Sequence, residues 1–198
     1  TGCQVIIGDG LKGTDDVEVP VPNGELIKKA KIGHAIMDAD VFISLNHFKG
    51  HETAGFGGAL KNIGMGCGSR AGKMDQHKTG KPSVITEKCR GCRACSKNCA
   101  HGAISCDCRA EFDIPIIPDV GMFASFDPVA LDQACVDACN AMPPVPGSVL
   151  DQHIHEEGFE DHHDHFVNTT PESEWESCLA HAEKISLGTR EYELITVK

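Results

Sequence analysis

Four cysteines, Cys89, Cys92, Cys95 and Cys99, stand at the spacing C-x2-C-x2-C-x3-C. Thiolates are soft ligands, and this run is the one with which a bacterial ferredoxin loop gathers thiolates on a [4Fe–4S] cluster. Gly91, between the first two, permits the close backbone turn such a loop needs. The residue after the last cysteine is Ala100, where the run usually continues with proline. In two-cluster ferredoxins the fourth cysteine of a run serves the other cluster. The fourth ligand here is therefore Cys99 folding back, or Cys106 or Cys108. Zinc on the same thiolates is the competing reading.

A second constellation lies upstream. The run from His47 to Gly66 carries Gly55, Gly57, Gly58 and Lys61 among its residues, directly after the apolar stretch Val41–Leu45. A glycine-rich loop at the carboxyl end of a strand is where open α/β sheets bind ligands. The run is not a Walker loop, because no Ser or Thr follows Lys61. Backbone N–H groups at Gly55, Gly57 and Gly58 can still cradle a cofactor or an anion. His47, His51, Lys61 and His77 add groups suited to moving a proton beside a carbonyl or carboxylate, or to holding a second metal such as nickel or zinc. A tight structural loop with surface His and Lys is the competing reading. A His/Asp tract, His153, His155 and Asp161 to His165, has the donor types for Zn, Ni or Fe, although adventitious metal on a connector explains it as well.

These residues need elements to hold them. Gln4–Gly8 and Val41–Leu45 read as short buried strands, and Asp15–Val21 as a strand stopped by Pro20 and Pro22. Glu25–Ala39 has near-helical apolar spacing, with Asn23 as N-cap. Strand, helix and strand in that order predict a parallel pair. Residues 46–82, with nine glycines, read as a loop-rich segment. Pro115–Ala124 reads as strand, and Asp127-Pro128 starts a helix reaching Cys139. On that helix Asp127 is the natural N-cap, Asp132 can face the glycine-rich cleft, and Cys135 and Cys139 share one face as small hydrophobes. Residues 143–170 read as a connector, Pro171–Leu187 as a helix closed by Gly188, and Tyr192–Val197 as a last strand. The expected fold class is α/β, a mostly parallel sheet flanked by helices. Residues 1–86 and 109–198 form that domain, and 87–108 a ferredoxin-like insert shortened near Ser105 and Cys106.

Composition narrows the function classes. The 198 residues hold 18 Lys+Arg against 29 Asp+Glu, a net charge of −11. So acidic a chain is a poor general nucleic-acid binder, since phosphate binding needs clustered Lys and Arg. No apolar stretch approaches the roughly 20 residues a membrane span requires. Eleven cysteines cannot all pair in disulfides, and four at ligand spacing point to a reducing compartment, with the cytoplasm as the expected location.

The chain resembles a family of uncharacterised iron–sulfur centre proteins classed under a domain of unknown function. The matching stretches are Val5–Gly13, His47–Gly66, Cys89–Cys99, Pro118–Gly121, Asp127–Ala134 and Leu187–Leu194. The family usually carries two ferredoxin-type motifs, and one stands here. More distantly, His51-x2-Ala54-Gly55-Phe56-x-Gly58-x2-Lys61 is similar to a loop of the nickel-pincer lactate racemases. That resemblance implies a proton-moving role for His51, a covalent cofactor link for Lys61 and nickel ligation for His77. The resulting expectation is an iron–sulfur protein that transfers electrons to a redox partner. The alternative is a metal- or cluster-assisted enzyme acting on a small anionic substrate at the His/Lys loop. In a third reading the cluster only staples the insert.

Overall fold

The computed structural model describes residues 2–51, 53–77 and 114–197. The Cys89–Cys99 run, Cys106, Cys108 and the expected shortening near Ser105 lie outside them. Two short sheets come first: β1 (Asp16–Pro20) pairs with β2 (Lys29–Gly33), and β3 (Lys49–His51) with β4 (Gly55–Gly57). Seven helices accompany them among the described residues: α1 (His34–Met37), α2 (Ala59–Cys67), α3 (Arg70–Gln76), α4 (Pro128–Asn140), α5 (Val149–Ile154), α6 (His165–Thr169) and α7 (Trp175–Lys184). The chain is thus mixed α and β. Both strand pairs are antiparallel, and the expected parallel sheet is not found among the described residues.

The largest departure is at residues 25–39, expected as one helix. Residues 29–33 form β2 instead, and only His34–Met37 is helical. The same residues carry a period of two, with Lys29, Lys31 and Gly33 alternating with Ala30 and Ile32. β1 supplies the matching edge: Val17 pairs with Ile32 and Val19 with Ala30, while Lys29 bridges to Glu18 at 2.8 Å. The turn Pro22-Asn23-Gly24 closes this hairpin, with the Val21 N–H donating to Lys28 O at 2.8 Å. Asn23 is therefore a turn residue and not a helix cap.

Residues 46–82, read as loop-rich, contain β3, β4, α2 and α3. Glycines inside α2 obscured its pattern. Its first turn is tied instead by a distant carboxylate, described below. α3 is capped by Ser69, whose Oγ accepts from Gly72 N–H at 3.1 Å, and it docks on β2 where Gly72 meets the Lys31 carbonyl.

α4 forms as expected. Pro128 stands at its first turn, and Asp127 Oδ1 accepts from Val129 and Ala130 N–H. α7 is shorter than the expected 171–187 helix, and the connector 143–170 holds α5 and α6. Gly188 does not close α7. It is small because Asp127 presses on it, and a Cβ there would overlap Asp127 Oδ1. The core gathers Phe56 of β4, Val129 and Val136 of α4, Phe166 of α6, and Trp175, Leu179 and Ala182 of α7. Phe48 stacks on Phe56 with ring centroids 4.7 Å apart.

The stretches Gln4–Gly8, Val41–Leu45, Pro115–Ala124 and Tyr192–Val197, all expected as strands, form none. Val5, Val41, Ile43, Leu45 and Ile195 are exposed. An apolar run becomes a strand only where a neighbouring edge pairs with it in a ladder; among the described residues these runs show only isolated bonds, such as Ala35 N–H to Gly8 O and Val145 N–H to Ile116 O.

Candidate functional site

The site is built where the β3–β4 hairpin feeds α2 and α4 crosses behind it. Asp132 of α4 is fully buried, at 0% exposure. The Ala59 N–H donates to its Oδ1 at 2.5 Å and the Leu60 N–H to its Oδ2 at 2.9 Å. An acidic group here also answers the positive end of the α2 dipole. Burial raises the Asp132 carboxyl, and the two N–H donors offset part of that rise. The expectation that Asp132 faces the glycine-rich segment thus holds in a specific form: it fastens the first turn of α2.

The glycines expected to cradle a cofactor are all buried, and protein groups press on them. Gly55 has φ +73°, and a Cβ there would lie 2.7 Å from Trp175 Cβ. A Cβ on Gly57 would meet Lys61 Cδ at 3.3 Å, so the lysine stem lies across that residue. A Cβ on Gly58 would strike Asp132 Oδ1. A positive φ and the close approach of Trp175 account for glycine at Gly55, and the close approach of Asp132 for glycine at Gly58.

Lys61, in the first turn of α2, is half-buried. Burial first, and the nearby Lys49 ammonium second, lower its pKa, while Cys178 acts in the opposite direction. The Cys178 side chain reaches solvent, yet surrounding protein and then Asp132 raise its thiol against a smaller pull from Lys61. Lys61, Lys49, Asp132 and Cys178 thus form one electrostatic neighbourhood. Lys49 and Cys178 escaped the sequence reading. Lys49 was legible as a cation in the same glycine-rich run, whereas nothing near Cys178 in sequence points to Lys61.

The histidines are distributed around this centre. His51 closes β3, and its Nδ1 accepts from the Thr53 and Ala54 N–H groups, both at 3.2 Å. That arrangement puts the proton of the neutral ring on Nε2. His77, exposed at the end of α3, has the reverse tautomer: its Nδ1 donates to Lys73 O at 2.7 Å, leaving Nε2 as the acceptor. The His47 side chain is exposed, and its carbonyl accepts from Asn62 Nδ2 at 3.3 Å. His51 and Lys61 flank β4, while His77 lies beyond the far end of the α2–α3 run.

The His/Asp tract is engaged in the fold. His153 Nδ1 donates to Asn168 O at 3.0 Å, His155 Nδ1 to Asp151 O at 2.6 Å and His165 Nε2 to Met142 O at 2.8 Å. Asp164 caps α6 through Oδ1 and accepts from Trp175 Nε1 at 2.6 Å through Oδ2. Among the described residues no group of three or more His, Cys, Asp or Glu side chains is placed to hold a metal ion. Five described cysteines, Cys3, Cys67, Cys135, Cys139 and Cys178, are free thiols. Cys139 packs against the core, and burial pushes the Cys135 thiol up to about 12. Among the described residues no helix is long and apolar enough to cross a membrane.

A mixed α/β fold with a capped, lysine-bearing helix after a glycine-rich hairpin is the class of protein these features define. The family model for a domain of unknown function, DUF362, matches residues 1–137, and the chain belongs to that family. The curated proteins and the solved structures yield no match.

Proposed function

We propose that this protein binds a [4Fe–4S] cluster through Cys89, Cys92, Cys95 and Cys99 and passes single electrons to a redox partner. The observation that carries the reading is the C-x2-C-x2-C-x3-C spacing itself. The donor set fits the group: four thiolates suit iron and sulfide better than any hard cation. Cys106 and Cys108 stand close enough in sequence to replace Cys99 as the fourth ligand. When bound, such a cluster supplies one-electron chemistry, with a potential set by hydrogen bonds and exposure.

A second reading rests on Lys61. Burial and the neighbouring Lys49 lower its pKa, which supports an amine that can act on a small carboxylate or carbonyl substrate beside the glycine-rich hairpin. In that reading His51 moves a proton and Lys61 holds the substrate or a cofactor, with a second metal at His77. One set of variants separates the two. Reversible one-electron reduction, followed by absorbance against applied potential, is lost in Cys92→Ser and kept in Lys61→Ala if electron transfer is the function. Turnover of a small hydroxy acid that is lost in Lys61→Ala with the cluster intact would establish the enzyme instead. Absence of reversible reduction in the wild-type protein overturns the first reading.

A further inference from the structure

Two lysines share the outer face of the β3–β4 hairpin. Side chains alternate across a strand, and directly opposed residues of an antiparallel pair point to the same face. Phe56, opposite Gly50, turns into the core, where Phe48 stacks on it. Lys49, opposite Gly57, therefore stands on the other face. Lys61 reaches that face from α2: a Cβ on Gly57 would point along it and meet Lys61 Cδ at 3.3 Å. Because Gly57 has no side chain, the Lys61 stem lies in the space across from Lys49, close enough for the Lys49 charge to bear on it.

Among the described residues no carboxylate answers these two charges, although Asp and Glu outnumber Lys and Arg by 29 to 18 in the chain. Lys28, Lys29, Lys31, Lys73 and Lys184 each place Nζ on an acceptor oxygen, and Lys49 and Lys61 do not. The buried Asp132 carboxylate engages both its oxygens with N–H groups at the start of α2. A half-buried ammonium beside a second one, with no counterion, favours the neutral amine, which is the nucleophilic form. The neighbouring Cys178 thiol is held protonated by burial, so the amine is the group here that can attack. A neutral amine adds to a carbonyl carbon, and the unpaired Lys49 ammonium beside it calls for a carboxylate on the same molecule.

We propose that Lys61 forms an imine with a small 2-oxo acid whose carboxylate pairs with Lys49. The inference rests on the second reading above, in which Lys61 holds the substrate, and names the class of that substrate. The Nζ lone pair adds to the carbonyl carbon, the C–O bond then breaks, and the oxygen leaves as water with the two amine protons. The test treats the full chain with pyruvate and cyanoborohydride, which reduces an imine to a stable secondary amine, and locates the label by peptide mass spectrometry. Acetone, a carbonyl without a carboxylate, is the comparison. Pyruvate is expected to label Lys61 faster than Lys12, an exposed lysine that also lacks an ion pair among the described residues. Lys49→Met lowers the pyruvate-to-acetone ratio at Lys61 about three- to fivefold, as loss of an exposed ion pair does. Taking the ratio cancels any change in the amine itself, and Lys49 is exposed, so the variant keeps the fold, which a thermal melt checks. Equal labelling of Lys61 and Lys12 overturns the imine, and a ratio unchanged in Lys49→Met overturns the 2-oxo acid. Trapping needs no turnover, so either failure leaves the Lys61→Ala turnover assay to decide the underlying reading on its own.

Discussion

Asp132 links two parts of the chain 72 residues apart by one pair of hydrogen bonds to the start of α2. Removing it in Asp132→Ala leaves two backbone donors without an acceptor, at a cost of about 1–3 kcal/mol in chemical denaturation; a neutral result would mean that α2 is held otherwise. The pH dependence has a definite sign. Burial raises this carboxyl in the folded chain, so the unfolded chain releases its proton first. The contribution of Asp132 is therefore greatest below its unfolded value and declines as pH rises through the folded one. Asp132→Asn abolishes that decline, which stability curves across mildly acidic pH would display. Lys61 responds to its neighbour in the opposite sense. Lys49→Met removes a repelling cation and raises the Lys61 pKa, seen as a shift to higher pH in its acylation profile by mass spectrometry. An unchanged profile would assign the whole depression to burial. Lys61 was legible in sequence as a polar group among glycines and Asp132 as a residue facing them, but the hydrogen bonds that tie Asp132 to the first turn of α2 were not, because they depend on α4 crossing α2.

At the scale of elements, α4 was the most legible because its signals are local. Asp127, Pro128 and the apolar residues that follow specify its start without help from the rest of the fold. The same Asp127 also accepts from Thr189 N–H at 2.9 Å, so one side chain caps the helix and pins the segment after α7. Burial pushes its carboxyl up, but the N–H groups of Thr189, Ala130 and Val129 pull it below the ordinary value. Asp127→Ala is expected to cost about 1–2 kcal/mol at neutral pH, as other N-cap removals do. The wild-type advantage is present above the unfolded carboxylate pKa and disappears as pH falls through the lower folded one. An advantage that persists unchanged into strong acid would contradict the capping role. The β1–β2 hairpin was misread because Ala30 and Ile32 fit both a helical and a strand period. Pairing with Val17 and Val19 decided between them, and pairing is not a local signal. α2 was missed for the complementary reason: Gly64 and Gly66 lower helix propensity, and a carboxylate distant in sequence secures its first turn.

For the whole molecule, residue spacing and charge are read directly from the sequence, and architecture is not. The cysteine spacing and the acidic charge are readable without any contact map, whereas the expected parallel sheet was inferred from apolar runs that stand unpaired among the described residues. An aromatic core of Phe48, Phe56, Phe166 and Trp175 packs the β3–β4 hairpin against α4, α6 and α7. The iron–sulfur reading stands on a different segment from the Lys61 site, so loss of one leaves the other open to measurement. The most direct test is a determination of iron and acid-labile sulfide per chain on protein purified without oxygen. One cluster on Cys89, Cys92, Cys95 and Cys99 predicts about four of each, falling together in Cys92→Ser. Zinc in place of iron, with no sulfide, would contradict it.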